Sequence, residues 1–182
     1  MPVQIGVTSS SFADPINLLS DCHRRIEMFL GVLQAVGDNA ENLLTEENRK
    51  SLETALRYFR EAAPKHTADE EESLFPRLRQ LRNSAVHSAL QQLDLLEADH
   101  RDVAPLHVVV DKLGERYLQT GALTHSEAVE FREAVAKLIS SYSQHIATED
   151  GVVFPMAAKL LPTEDRKAVA QEMAARRNVR PA

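Results

Sequence analysis

Four apolar stripes at helical spacing run through this chain, and a histidine interrupts each one where its own period demands an inward side chain. The first stripe, Ile16, Leu19, Ile26, Leu30 and Leu33, has a gap filled by His23. It opens on Asp14-Pro15, a capping residue followed by proline at the first helical position, and closes at Gly37. The second begins at Thr45 and runs through Leu52, Leu56, Phe59 and Ala63 to His66 and Glu70, with Pro64 predicting a kink or restart just before the histidine. Ser84 is placed to cap the third, Val86, Leu90, Leu93, Leu96, His100, Val103, His107 and Val110, with Pro105 marking a bend. Thr124-His-Ser-Glu127 reads as a capping box. The fourth stripe then carries Phe131, Val135, Leu138, Tyr142, His145, Glu149 and Val152. Leu161-Pro162-Thr163 ends it and starts a short helix over Glu164–Arg176.

Long amphipathic segments joined by short polar connections predict an all-α fold, an antiparallel up-and-down four-helix bundle with a short C-terminal helix. No stretch alternates with period two, so no sheet is expected. The 182 residues suit one domain, 1–182, with its core over about 14–161. A net charge of −6, from 21 basic and 27 acidic residues, argues against a general nucleic-acid binder. Arg176, Arg177 and Arg180 read as a solvated end. Cys22 is the single cysteine, so no internal disulfide framework is available. No secretory pattern and no membrane-length apolar run is seen, and a cytoplasmic protein is expected.

Glu70 and Glu149 fall one turn after His66 and His145, on the same inward stripes. Desolvating a carboxylate costs several kcal/mol or more, and no Lys or Arg shares those stripes. Metal ions supply the missing positive charge. Residues four apart lie above one another on a helix, ~6 Å apart along the axis, so both can face ions held between helices. Imidazole with carboxylate favours iron, manganese or zinc over calcium and magnesium.

The chain also repeats itself. His66-Thr-Ala-Asp-Glu70 continues to Phe75-Pro76, and His145-Ile-Ala-Thr-Glu149 continues to Phe154-Pro155, with the same offsets. His23 precedes His66 by 43 residues and His100 precedes His145 by 45. Two copies of one helix pair, each giving His … His-x-x-x-Glu, would build a pseudo-symmetric pair of metal positions with the glutamates between them. A lone interior histidine is usually an ordinary core residue. Four of them, with two paired glutamates and an internal repeat, are not.

These residues resemble the hemerythrin-like family, the HHE cation-binding domains, over about Asp14 to Leu161. The resemblance implies an oxo- or hydroxo-bridged dinuclear iron centre, manganese or zinc being the alternatives. It makes His23, His66, His100 and His145 terminal ligands, with Glu70 and Glu149 bridging. Oxygen-carrying members have a further histidine one turn after the third-helix histidine, where this chain has Ala104. They also have aspartate five residues after the fourth-helix histidine, where this chain offers Asp150 beside Glu149. With one histidine fewer, both metals keep open positions. That fits binding or reduction of dioxygen, hydrogen peroxide or nitric oxide, including peroxide decomposition, better than reversible oxygen carriage. An iron-sensing or iron-handling module without turnover is the alternative. The oligomeric state is not legible.

Glu27, four residues after His23, also points at the site and is counted with the metal ligands, the alternative being a carboxylate bonded to a ligand histidine. Glu97 reads as surface or as a partner to a ligand, and His107 as a hydrogen-bonded core histidine two turns beyond His100. His87 and His125 read as surface residues at helix starts. Tyr58 and Tyr142 flank the ligand level, Tyr142 read as packing. Cys22 reads as a buried or half-buried thiol, and Asp69, Glu71 and Glu72 as a mostly solvated acidic face.

Overall fold

The computed structural model describes residues 12–81 and 87–179, and among these every regular element is a helix. Helix α1 spans Pro15–Gly37. The Asp14 carboxylate accepts from the Asn17 amide at 3.2 Å, so its start is the cap expected from the sequence. Helix α2, Glu46–Glu61, is capped in the same way by Thr45. Ala62 then interrupts the chain and α3, Ala63–Ala68, restarts with Pro64 in its first turn, where a missing amide proton costs nothing. A π-helical segment over Asp69–Leu74 leads into α4, Phe75–Gln80.

Helix α5 runs unbroken over His87–Thr120. Pro105 lies inside it, so the proline removes one ladder bond without ending the helix. The expected Ser84 cap lies outside the described residues, as does the His87 side chain. Helix α6, His125–Thr148, opens on the Thr124–Glu127 capping box, both halves of which are formed. A second π-helical segment, Glu149–Val153, leads into α7, Phe154–Leu160, and α8, Thr163–Arg176, closes the chain.

Both π segments end on the repeated Phe-Pro. The Phe75 amide bonds to the Glu70 carbonyl and the Phe154 amide to the Glu149 carbonyl, five residues back in each case. The proline that follows has no amide proton, and its ring crowds the carbonyl four residues earlier. Widening one turn relieves both problems. Periodicity predicts an ordinary helix here. The difference falls on the two turns that carry the glutamates.

Helix α1 packs on α2 and α6, and α5 packs on α2 and α6. Helix α8 lies against α1 and the first π segment. The interior divides into two apolar clusters. One gathers Ile26, Leu33, Leu52, Leu56, Phe131 and Leu138, the other Leu19, Leu74, Phe75, Leu93, Val153 and Phe154. His23 falls between Leu19 and Ile26, and His100 between Leu96 and Val103, so each helix crosses from one cluster to the other through a polar layer. No helix among the described residues is long and apolar enough to cross a membrane.

Candidate metal centre

In that layer six side chains meet. His23, Glu70 and Glu149 are fully buried, and His66 and His145 nearly so, with His100 just short of buried. Two overlapping groups form, His23 with His66, Glu70 and Glu149, and His100 with His145 and the same two glutamates. Within each group the ligand-capable atoms lie within 4.8 Å of one another. Glu70 turns Oε1 toward His66 Nε2 at 3.1 Å and His23 Nε2 at 3.8 Å, and Oε2 toward His100 Nε2 at 3.6 Å. Glu149 Oε2 stands 3.1 Å from both His23 Nε2 and His145 Nε2. Each glutamate therefore spans the two histidine pairs.

The outer nitrogens decide what the inner ones can be. His23 Nδ1 meets Asp150 Oδ1 at 2.9 Å, His100 Nδ1 meets Glu71 at 2.8 Å, and His145 Nδ1 meets Asp99 at 3.3 Å. A carboxylate only accepts, so each Nδ1 carries the proton and donates it. In a neutral imidazole the inward Nε2 is then a bare lone pair. His100 Nε2 and His145 Nε2 stand 3.1 Å apart in this state. Lone pairs so close repel unless a cation or a proton lies between them. Among the described residues His66 Nδ1 is the exception, buried with no partner.

The carboxylates show the same want. Both oxygens of Glu70 and both of Glu149 are buried without a hydrogen bond, and so is His23 Nε2. Buried polar atoms are nearly always bonded, so this cluster of orphans marks a place built for positive charge. Without metal, protons answer that need. Burial lowers the His23 pKa, but Glu149 and Glu70 outweigh burial and push it up to about 10. Burial and the Glu149 charge raise Glu70 to about 8, while Glu149, despite its burial, is held below the usual carboxylate range by His145 and His23. His66 and His100 are lowered, mainly by burial and also by neighbouring imidazoles. The donor set, neutral nitrogens and carboxylate oxygens, fits divalent or trivalent iron, manganese or zinc.

The remaining candidates fall outside the cluster. Glu27 is a correction: it is 47% exposed and pairs with Arg24 at 3.0 Å, because one further turn of α1 carries it past the buried face to the surface. Asp150 touches the outer nitrogen of His23 and is held by Ser20 and Arg24. Glu97 pairs with Arg79 at the surface, and His125 is exposed beside Glu41. Cys22 is a buried free thiol. His107 Nε2 lies 3.0 Å from the Tyr142 hydroxyl, so Tyr142 does more than pack.

Asp69 is a second correction. It is fully buried rather than solvated, and holds Arg176 at 3.0 Å and Arg177 at 2.6 Å. Arg176 also bonds Ser73 and Glu72. The arginines read as a solvated end thus clamp α8 onto the turn that carries Glu70. No local pattern announces a pair 107 residues apart.

Comparison with known proteins agrees with the geometry. The model of the family described as "Hemerythrin HHE cation binding domain" matches residues 14–157. An "Uncharacterized protein" of Haemophilus influenzae is 28% identical over 173 residues, covering 94% of this chain and 94% of its own length.

Proposed function

The chain belongs to the hemerythrin family of HHE cation-binding domains, and from that premise we propose that it is a non-haem di-iron protein that binds or reduces small oxidants such as dioxygen, hydrogen peroxide or nitric oxide. One observation carries the reading. Two four-residue groups of imidazole nitrogens and orphaned carboxylate oxygens share Glu70 and Glu149, which is the donor pattern expected for two ions with carboxylates between them. In this reading His23 and His66 would hold one ion and His100 and His145 the other, with Glu70 and Glu149 available to both. The four long helical members, α1, α2 through α4, α5, and α6 through α7, run up and down as an antiparallel bundle around the pair.

Bound iron would supply electrons and Lewis acidity. The chain's part is to fix the donors and keep water out. Asp150, Glu71 and Asp99 hold three imidazoles in the tautomer that presents Nε2 inward. The apolar clusters on either side lower the local dielectric, which strengthens every charge interaction in the layer.

The test is reconstitution with ferrous iron and exposure to air. Two irons per chain, a near-ultraviolet oxo-bridge band, and binding or consumption of peroxide or nitric oxide support the reading. A colourless chain that retains no iron defeats it. A second reading, iron sensing or handling without turnover, is favoured by the α8 clamp on Asp69, which ties the metal-bearing turn to the C-terminal helix. Large thermal stabilisation by iron with no peroxide turnover would select it.

A further inference from the structure

The six-residue cluster is not equally accessible from its two flanks. On one side His23 is fully buried and stacks on Phe154 with ring centroids 5.1 Å apart. On the other a cavity of about 290 Å³ reaches His100 between α2–α3 and α5–α6. It is lined by Phe59, Thr67, His100, Ala104, His107 and Tyr142. Ala104 sits one turn beyond His100 on α5 and presents only an exposed methyl, leaving open a space that a longer side chain would fill. Of the six cluster residues His100 alone lines the cavity, and its Nε2 is 3.1 Å from His145 Nε2 and 3.6 Å from Glu70 Oε2.

Within these walls the His107–Tyr142 contact is polar and points to a ligand. Burial pushes the His107 imidazole down to about 4, so it is neutral at neutral pH and can take either tautomer. With the proton on Nε2, His107 donates to the phenol oxygen across the 3.0 Å contact, and the phenol proton is free for a molecule in the cavity. The Tyr142 ring lies 6.4 Å from the His145 ring, so the ring is next to the cluster, while its hydroxyl is turned toward His107 in the same cavity. The volume lies just under the range of drug-sized sites. It suits a small species with an acceptor lone pair.

We propose that small oxidants and small anions enter from the His100 side, through the cavity left open at Ala104, and are received by a hydrogen bond from Tyr142, which His107 positions. The route rests on the functional reading above only for what lies at its end.

Two measurements on the full chain test it. Metal-free protein is treated with diethyl pyrocarbonate and each histidine is followed by peptide mass spectrometry, with the exposed His125 as internal standard. Ala104→Leu slows labelling of His100 about fivefold or more with His125 unchanged, and Ala104→Ser, which leaves the space open, does not. Iron-loaded protein is then titrated with azide and read by its charge-transfer band. At unchanged iron content Tyr142→Phe weakens azide binding by about tenfold, the scale of one lost hydrogen bond to a charged group, and Ala104→Leu slows the appearance of the band. Equal His100 labelling in wild type and Ala104→Leu overturns the route, and unchanged azide affinity in Tyr142→Phe overturns the donor. A chain that takes up no iron yet shows the slowed labelling refutes the di-iron function and leaves the route standing.

Discussion

Replacing Glu70 by glutamine separates the stability of the fold from the demands of its centre. The carboxyl is fully buried without a hydrogen bond, and burial with the Glu149 charge raises its pKa to about 8. In the metal-free fold Glu70 therefore binds a proton that the unfolded chain releases near pH 4.5. Between those values the native state holds more protons than the unfolded one, so stability falls as pH rises and the loss is complete above about 8. At ~1.4 kcal/mol per tenfold in proton affinity, the cost approaches about 4–5 kcal/mol at pH 8 and is under about 1 kcal/mol at pH 5. The His23 charge is already contained in that value, and relaxation and water penetration around the ionised carboxylate bring the cost to about 3 kcal/mol. Glutamine has the same shape and no such cost. Metal-free Glu70→Gln is accordingly more stable than wild type by about 3 kcal/mol at pH 8, a rise of roughly 6–12 °C in Tm, and nearly equal to it at pH 5. With iron the order reverses, since the amide cannot neutralise the ions. Calorimetry in chelator at both pH values, then with iron, reads all three. A glutamine variant less stable than wild type at pH 8 without metal, or a gain independent of pH, refutes the account of an uncompensated carboxylate.

Asp69→Asn removes the buried partner of Arg176 and Arg177 and costs about 2–3 kcal/mol, because both arginines retain some access to water. In denaturant melts the exposed Lys167–Glu164 pair is the control, and Lys167→Ala costs under about 0.5 kcal/mol. Pro155→Ala removes the cause of the wide turn at Glu149, so the segment rewinds as ordinary helix and shifts the carboxylate. Iron competition against a chelator shows at least about tenfold weaker retention, with helicity by circular dichroism unchanged. For His107 the depressed pKa means the unfolded chain binds the extra proton, so its contribution is present above pH 6.5 and is lost as pH falls toward 4. Half-buried as it is, it accounts for about 2 kcal/mol of acid sensitivity, which His107→Gln removes in urea melts at pH 4.5 and 7.

Much of the centre is legible in the chain because burial and period are coupled. A histidine on an apolar stripe has nowhere to go but inward, and Asp14, Thr45 and Thr124 mark helix starts by chemistry local to each turn. What the sequence conceals is long-range or geometrical. Asp69 looks like one acid among several until Arg176 and Arg177 arrive from the far end of the chain. Glu27 shares its spacing from His23 with the true inward pairs, yet it falls on the solvent side of the buried Ile26 and Leu30, where Arg24 competes for it. The π segments escape periodicity because one extra residue per turn barely disturbs an apolar stripe, although the twice-repeated Phe-Pro is their trace. Ala104 is visible only as a histidine withheld; the cavity beside it needs coordinates.

The division of the interior into two greasy halves has a mechanical consequence. Helices α1 and α5 are continuous across the divide, but side-chain cohesion is not, since without cations the intervening layer is held only by the protons its histidines and glutamates share. Amide exchange in the iron-free protein should therefore breathe first at the waist, around His66–Leu74 and His145–Val153, while the ends stay closed. Loading with iron would then act less like filling a pocket than like riveting two plates, after which the whole length opens only as one piece.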